Sequence, residues 1–162
     1  MPTIKLETKI KSGINICFDL SRSIDLHQIS TAKTNEKAID GKTKGLIDLN
    51  EFVTWQATHF GITQKLTSHI TLFNRPFHFR DQQLSGPFKF IVNDHHFKTQ
   101  GDRVIMEDIF EFQSPFGLIG NLFDKAVLTN YQRKLLITRN NIIKEYAETS
   151  KWKSVLNEID YS

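Results

Sequence analysis

The apolar residues of this chain change their period once, at Ser114-Pro115, and that change restricts the fold more than any other feature. Before it, strand-length runs follow one another, each closed by Gly or Pro. Phe52 to Phe60 ends at Gly61, and Ile62 to Phe73 ends at Asn74-Arg75-Pro76. Phe77 to Leu84 ends at Ser85-Gly86-Pro87, Phe88 to Lys98 at Gln100-Gly101-Asp102, and Arg103 to Phe112 at Ser114-Pro115. Connections this short cannot carry a parallel crossover, so the five runs predict an antiparallel meander. After the change, Ile119, Phe123, Val127, Tyr131 and Leu135 step by four, and Ile142 and Tyr146 continue the stripe. Leu122, Ala126, Leu128, Leu136 and Ile143 widen it, while Lys125, Arg133, Lys134, Arg139, Lys144 and Glu148 fall mostly outside. This spacing predicts one amphipathic helix of about 30 residues, near 45 Å long. A helix with one broad apolar face must lie across something large, and the sheet is the only candidate.

The segment before the meander completes an α+β chain. Ile4, Leu6, Thr8 and Ile10 alternate with Lys5, Glu7, Lys9 and Lys11, the pattern of a half-solvated strand. Ser12-Gly13 breaks it. Ile14, Cys17 and Phe18 then recur at helical spacing, and Ser21 to Ser23 offers a break and a new N-cap before Ile24 to Ile29, so two short helices are expected. Ser30 to Gly45 is polar and predicts a long exposed connection, with a short strand around Lys44 to Ile47. The tail after Ser150 is polar and is expected to be loose beyond Trp152. These elements predict one domain over residues 1–150, with residues 151–162 as a tail.

Charge and cysteine content narrow the partners. The 162 residues carry 21 Lys and Arg against 18 Asp and Glu, a formal charge of +3, with bases scattered among acids rather than gathered on one run. Nucleic-acid binding is not expected from such a distribution. Cys17 is the single cysteine, so no intramolecular disulfide can form, and its apolar neighbours predict packing rather than reactivity. No basic-then-apolar leader pattern opens the chain, and no apolar run approaches the roughly 18 residues of a membrane span, so a reducing cytoplasm is the expected setting. Phe occurs 13 times against two Trp and three Tyr. Phe adds apolar area without a polar handle, which suits both close packing and an apolar guest.

Several short motifs add a resemblance. They are Val53-Thr54-Trp55 with His59-Phe60-Gly61, then Leu66-Thr67, Arg75-Pro76-Phe77 and Phe79-Arg80-Asp81. Gly86-Pro87-Phe88, His95-His96-Phe97, Met106-Glu107-Asp108, and Pro115-Phe116-Gly117 with Gly120 complete the set. Through these the chain, from about Ile4 to Glu148, resembles the bacterial SRPBCC (START-like) proteins related to polyketide cyclases and to the ligand-binding pathogenesis-related allergens of plants. The resemblance implies the helix-grip fold, a curved antiparallel sheet of six to seven strands wrapped around a long C-terminal helix, with two short helices after the first strand. It also implies a cavity between sheet and helix for lipids, polyketides or similar guests. In that branch a Trp and a His-x-His often occupy the strand after Gly-Pro-Phe. Here the Trp position reads Ile91 and the first His position Asn93, while His95 remains, which puts any metal carried by the pattern in doubt.

Candidate site residues follow from the faces of the strands. Val104, Met106, Asp108, Phe110 and Phe112 share the more apolar face of the last strand, which is expected to be concave, so Asp108 would point inward. There it could act as an acid, or simply pair with a His or Arg to fix the sheet. Trp55 and His59 share a face of their strand. His95 and His96 must point opposite ways and cannot share a metal, and His95 is expected inside. A site using His59, His95, Asp81 and Asp108 lacks any regular ligand spacing, so no metal or cofactor is expected.

The leading expectation is a non-catalytic carrier for a small apolar or amphipathic ligand, as monomer or homodimer. Trp55, Met106, Phe110 and Phe112 would floor the cavity, Phe123, Val127 and Tyr131 would roof it, and His59, His95 and Asp108 would orient the guest. The rivals are a cyclase or dehydratase using Asp108 and His95 as acid and base, and a protein-interaction module.

Overall fold

The computed structural model describes residues 2–115, 117, 122 and 124–162. Seven strands form one antiparallel sheet in the order β1-β7-β6-β5-β4-β3-β2. They are β1 (Thr3–Ile10), β2 (Lys37–Gly41), β3 (Phe52–His59), β4 (Ile62–Asn74), β5 (His78–Ser85), β6 (Phe90–Gln100) and β7 (Arg103–Gln113). β3 to β7 are the predicted meander. β1 closes it by pairing with β7, Ile4 opposite Phe110 and Ile10 opposite Val104. Register shifts between Thr67 and Ser68 and between Ile70 and Leu72 on β4, where it meets β5, bend the sheet into a trough.

Two helices follow β1 as expected: α1 (Ile14–Ser21) and α2 (Ile24–Ser30). The Ser23 side chain caps α2 by accepting from the Leu26 amide. The short strand of the connection lies at Lys37–Gly41, earlier than the expected Lys44 to Ile47, where Leu46 makes only an isolated bridge to Ser23. It is an edge strand whose Ile39 is exposed, so it carries no inward-facing period for a sequence reading to detect. Gly41 ends it at a φ of +73°, where a Cβ would lie 2.3 Å from the Phe52 carbonyl oxygen. Gly41→Ala is therefore expected to cost about 1–3 kcal/mol in urea unfolding. Gly61→Ala, at φ +74° but facing open space, should cost less.

The long helix crosses the trough as α3 (Thr129–Glu148), preceded by a π-helical turn, Asp124–Leu128. Ile119 and Phe123 of the expected stripe lie outside the described residues. The buried line runs through Leu128, Leu136, Arg139, Asn140, Ile143 and Ala147, one residue away from the expected centre at Tyr131, Leu135, Ile142 and Tyr146, which are half-buried. Arg139, expected outside the stripe, is instead buried. It donates to the Ser21 carbonyl, and Asn140 beside it donates to Asp108, so two polar residues sit where a hydropathy pattern looks for apolar ones.

The tail also departs from expectation. Trp152–Val155 forms a short helix, α4, Leu156 is buried, and the Tyr161 hydroxyl donates to Asp19 in α1. Residues 151–162 thus pack on the domain rather than trailing from it. Apolar contact with the main core through Leu156, together with one buried carboxylate, overrides a polar composition.

Candidate functional site

Antiparallel connection fixes which end of the trough opens. The β3–β4 turn, the β5–β6 turn and the exit from β7 fall at one end of the sheet, and α3 begins there. A cavity of about 350 Å³ lies between the concave face of the sheet and α3. Its exposed lining residues, Phe60, Pro87 and Pro115, belong to those three connections and form its mouth.

The walls come from inward positions of successive strands, because every second side chain faces the trough. Trp55 stands opposite Leu66, Asp81 opposite Asn93, and His95 opposite Asp108. Of the residues expected to meet a guest, Trp55, His59, His95, Phe110 and Tyr131 line the cavity. Met106, Asp108 and Phe112 are on the expected face but do not reach it. Met106 is covered by α1, whose Ser21 hydroxyl oxygen lies 3.4 Å from its sulfur, and Phe112 lies behind Phe88 and Phe110. Val127 of the expected roof is exposed and lies outside the lining, and Phe123 lies outside the described residues. Sequence reading missed Leu66, Ile91, Asn93 and Arg139 as lining residues. The alternation that placed His95 inside also places Ile91 and Asn93 there, so for those two the signal was present.

The deepest polar part of the wall is a string of hydrogen bonds centred on His95. His95 is fully buried, with Nδ1 at 2.6 Å from Asp108 Oδ1 and Nε2 at 3.0 Å from Asp81 Oδ2. Behind them Asn140 donates to Asp108 Oδ2 at 2.6 Å, and an Arg139 nitrogen lies 3.5 Å from Oδ1. Burial alone would raise the Asp108 pKa, but the His95 bond and charge, with Arg139 and Asn140, hold it below the ordinary carboxylate value. Burial opposes charge on His95 too, yet the bonds to Asp108 and Asp81 outweigh it and raise its pKa. With a carboxylate oxygen at each ring nitrogen, His95 is placed to donate from both, as an imidazolium does. Asp108 has both oxygens engaged inside the protein, so it positions His95 and meets no guest. Of this string the Asp81 carboxylate, 29% exposed, is the group open to the cavity, while Asn93 Oδ1, on its cross-strand partner, is fully buried and has no hydrogen-bond partner.

A second polar group sits toward the mouth. His59 Nδ1 is 2.6 Å from the Tyr131 hydroxyl, tying the β3–β4 hairpin to α3, and burial lowers the His59 pKa. His59 therefore does not join Asp81, His95 and Asp108. Glu36 also lines the wall, bonded to His27 at 3.1 Å. Burial raises the Glu36 pKa, but His27 outweighs it and holds the carboxyl low.

These shifts give stability a pH signature. The Asp108 contribution is full above the unfolded-chain value of about 3.9 and is lost as pH falls through its lower folded value. The His95 contribution is full below about 6.5 and is lost as pH rises through its raised folded value. His59 and His96, whose pKa values are lowered, push the other way across neutrality. The difference between wild type and His95→Gln in urea unfolding, followed from pH 5 to 9, should therefore shrink as pH rises. A difference that is flat or grows would show that His95 is not held as the cation.

No family profile and no curated protein sequence matches the chain. Solved structures do. A protein from Thermus thermophilus superposes with a TM-score of 0.68 at 12% identity, over 88% of this chain and 97% of its own. The ginseng major latex-like protein 151 from Panax ginseng gives 0.66 at 14%, over 91% and 98%. A Chromobacterium violaceum protein gives 0.68 at 7%, over 91% and 97%. The chain shares with them the helix-grip fold, as its sequence motifs imply. Among the described residues no helix is long and apolar enough to cross a membrane.

Proposed function

We propose that this protein is a binding or carrier protein for a small amphipathic ligand held between the sheet and α3. The observation that carries the reading is the cavity itself, about 350 Å³ and walled mainly by apolar side chains, with polar groups such as Glu36, His59, Asp81 and Gln132 among them. Ligand sites in proteins commonly have this size and this mixture. The cavity-facing Asp81 carboxylate favours a guest that presents a hydroxyl or amine hydrogen. The apolar remainder of the guest would lie along Trp55, Leu66 and Phe110.

A second reading is acid–base catalysis, favoured by the string of bonds running from Asp108 through His95 to Asp81 at the cavity wall. The acting group would then be Asp81, since Asp108 does not reach the cavity.

Native mass spectrometry of the purified protein, followed by extraction, tests the main reading. A stoichiometric small-molecule adduct, lost on denaturation, is expected. A bare mass, with no thermal stabilisation by a panel of fatty alcohols, sterols and phenolic polyketides, would overturn it.

A further inference from the structure

The opposite, convex face of the sheet carries a cluster that the cavity does not use. His78 on β5 and His96 on β6 are cross-strand partners, and their rings stack at 4.2 Å with 2° between planes. Asp94 lies two residues before His96 and so projects from the same face. Its Oδ1 is 2.7 Å from His78 Nε2. The ligand atoms of these three side chains all lie within 4.8 Å of one another, and among the described residues no other group of three His, Cys, Asp or Glu side chains does so.

We propose that His78, Asp94 and His96 form a site for one divalent transition-metal ion of the zinc class, bound through two imidazoles and one carboxylate oxygen. Two nitrogens and one oxygen suit zinc, nickel or copper, whereas magnesium and calcium require oxygen-rich shells. Three protein ligands leave a fourth tetrahedral position for water. Tetrahedral ligands with bonds of 2.0–2.1 Å sit roughly 3.3 Å apart, so the widest pair closes by at most about 1.5 Å while the His78–Asp94 pair opens from 2.7 Å. Side-chain torsions supply that movement, because both imidazoles are only partly buried.

The surroundings are organised for such an ion. Arg80 donates to both oxygens of Asp94, from Nε at 2.9 Å and from a terminal nitrogen at 2.8 Å, and fixes the plane of the carboxylate. When an ion binds, Oδ1 exchanges its His78 contact for the metal, while Arg80 keeps Oδ2 in an outer-shell role. Two stacked imidazoles make no hydrogen bond to each other, and an ion would give them a common partner. Glu107 is the cross-strand partner of His96 and Glu7 that of Glu107, so acidic residues continue the row and offset the Arg80 charge. His95 faces the cavity from the other side of the same strand. The metal site therefore stands or falls independently of the ligand-binding reading.

The test is calorimetric titration of the chelator-treated full chain with Zn²⁺, paired with visible absorption of the Co²⁺ form. One equivalent should bind with micromolar affinity, and Co²⁺ should show the intense bands of tetrahedral coordination. His78→Ala and His96→Ala should each weaken binding at least about tenfold, and His69→Ala, on β4, should leave it unchanged. Independently of any variant, Zn²⁺ and not Mg²⁺ should raise the melting temperature of the wild type. Absence of binding below about millimolar Zn²⁺, or binding that survives loss of either imidazole, would overturn the proposal.

Discussion

Asp19→Ala is expected to cost the fold about 3 kcal/mol and to release the C-terminal tail. Asp19 is completely buried in α1 and accepts four hydrogen bonds: from Arg22 Nε at 2.8 Å, from two Arg75 nitrogens at 3.0 and 2.6 Å, and from the Tyr161 hydroxyl. Burial would raise its pKa, yet these partners together hold it below the ordinary value, so it is ionised at neutral pH. Removing the carboxylate leaves the buried Nε of Arg22 without its acceptor, although NH1 keeps Asp48 and the Ile47 carbonyl, and takes away the acceptor of the Tyr161 hydroxyl. The loss falls at the low end of the range for broken buried pairs because the Arg75 side chain, 35% exposed, can turn to water. Urea unfolding would read the stability, and limited proteolysis after Ser150 would read the tail. Tyr161→Phe should free the tail in part at a cost of only about 1 kcal/mol. A tail that stays protected in Asp19→Ala would show that Leu156 and Trp152 hold it without the carboxylate.

Ala57→Phe is expected to abolish ligand binding while leaving the fold intact. Ala57 is buried on β3 and its methyl group lines the cavity. A cavity of about 150 Å³ suffices to hold a benzene molecule, so a phenyl ring would take nearly half of the 350 Å³ available. The ring enters empty space rather than packed core, so unfolding free energy should hold or rise, in contrast to ordinary overpacking. The adduct seen by native mass spectrometry should fall at least about tenfold in occupancy at a fixed ligand concentration. Undiminished binding would place the guest outside this cavity.

These two variants also mark what could be seen in the sequence. The meander was legible because each turn carries Gly or Pro and each strand keeps one apolar face, and β3 to β7 begin and end within two residues of the expected places. The faces were legible as well: the even-numbered residues of β7 from Val104 to Phe112 are all buried. Depth was not. Period two tells which side of a sheet Met106 and Phe112 occupy, but not that α1 and Phe88 stand between them and the cavity. The polar hubs were invisible for a related reason. Asp19 lies on a helix and meets Arg75 and Tyr161 from 56 and 142 residues away, and neither partner is marked by local spacing. Arg139 and Asn140 were lost because a hydropathy stripe counts them as solvent-facing.

The two ends of the trough tolerate change very differently. At the open end, the hairpin at Phe60-Gly61 and the turn at Pro87 border the cavity, and both lie beyond the last paired residues of their strands. At the far end, Arg75 leaves the β4–β5 turn to reach Asp19, and Lys144 and Glu148 at the end of α3 bond the backbone of Lys9 and Lys11. Lengthening a connection at the first end alters what the molecule admits and leaves all seven strands in register, whereas lengthening one at the second breaks the clasp between sheet, helices and tail. A lineage, or an engineer, can therefore exchange the guest by editing one rim of this scaffold without refolding it.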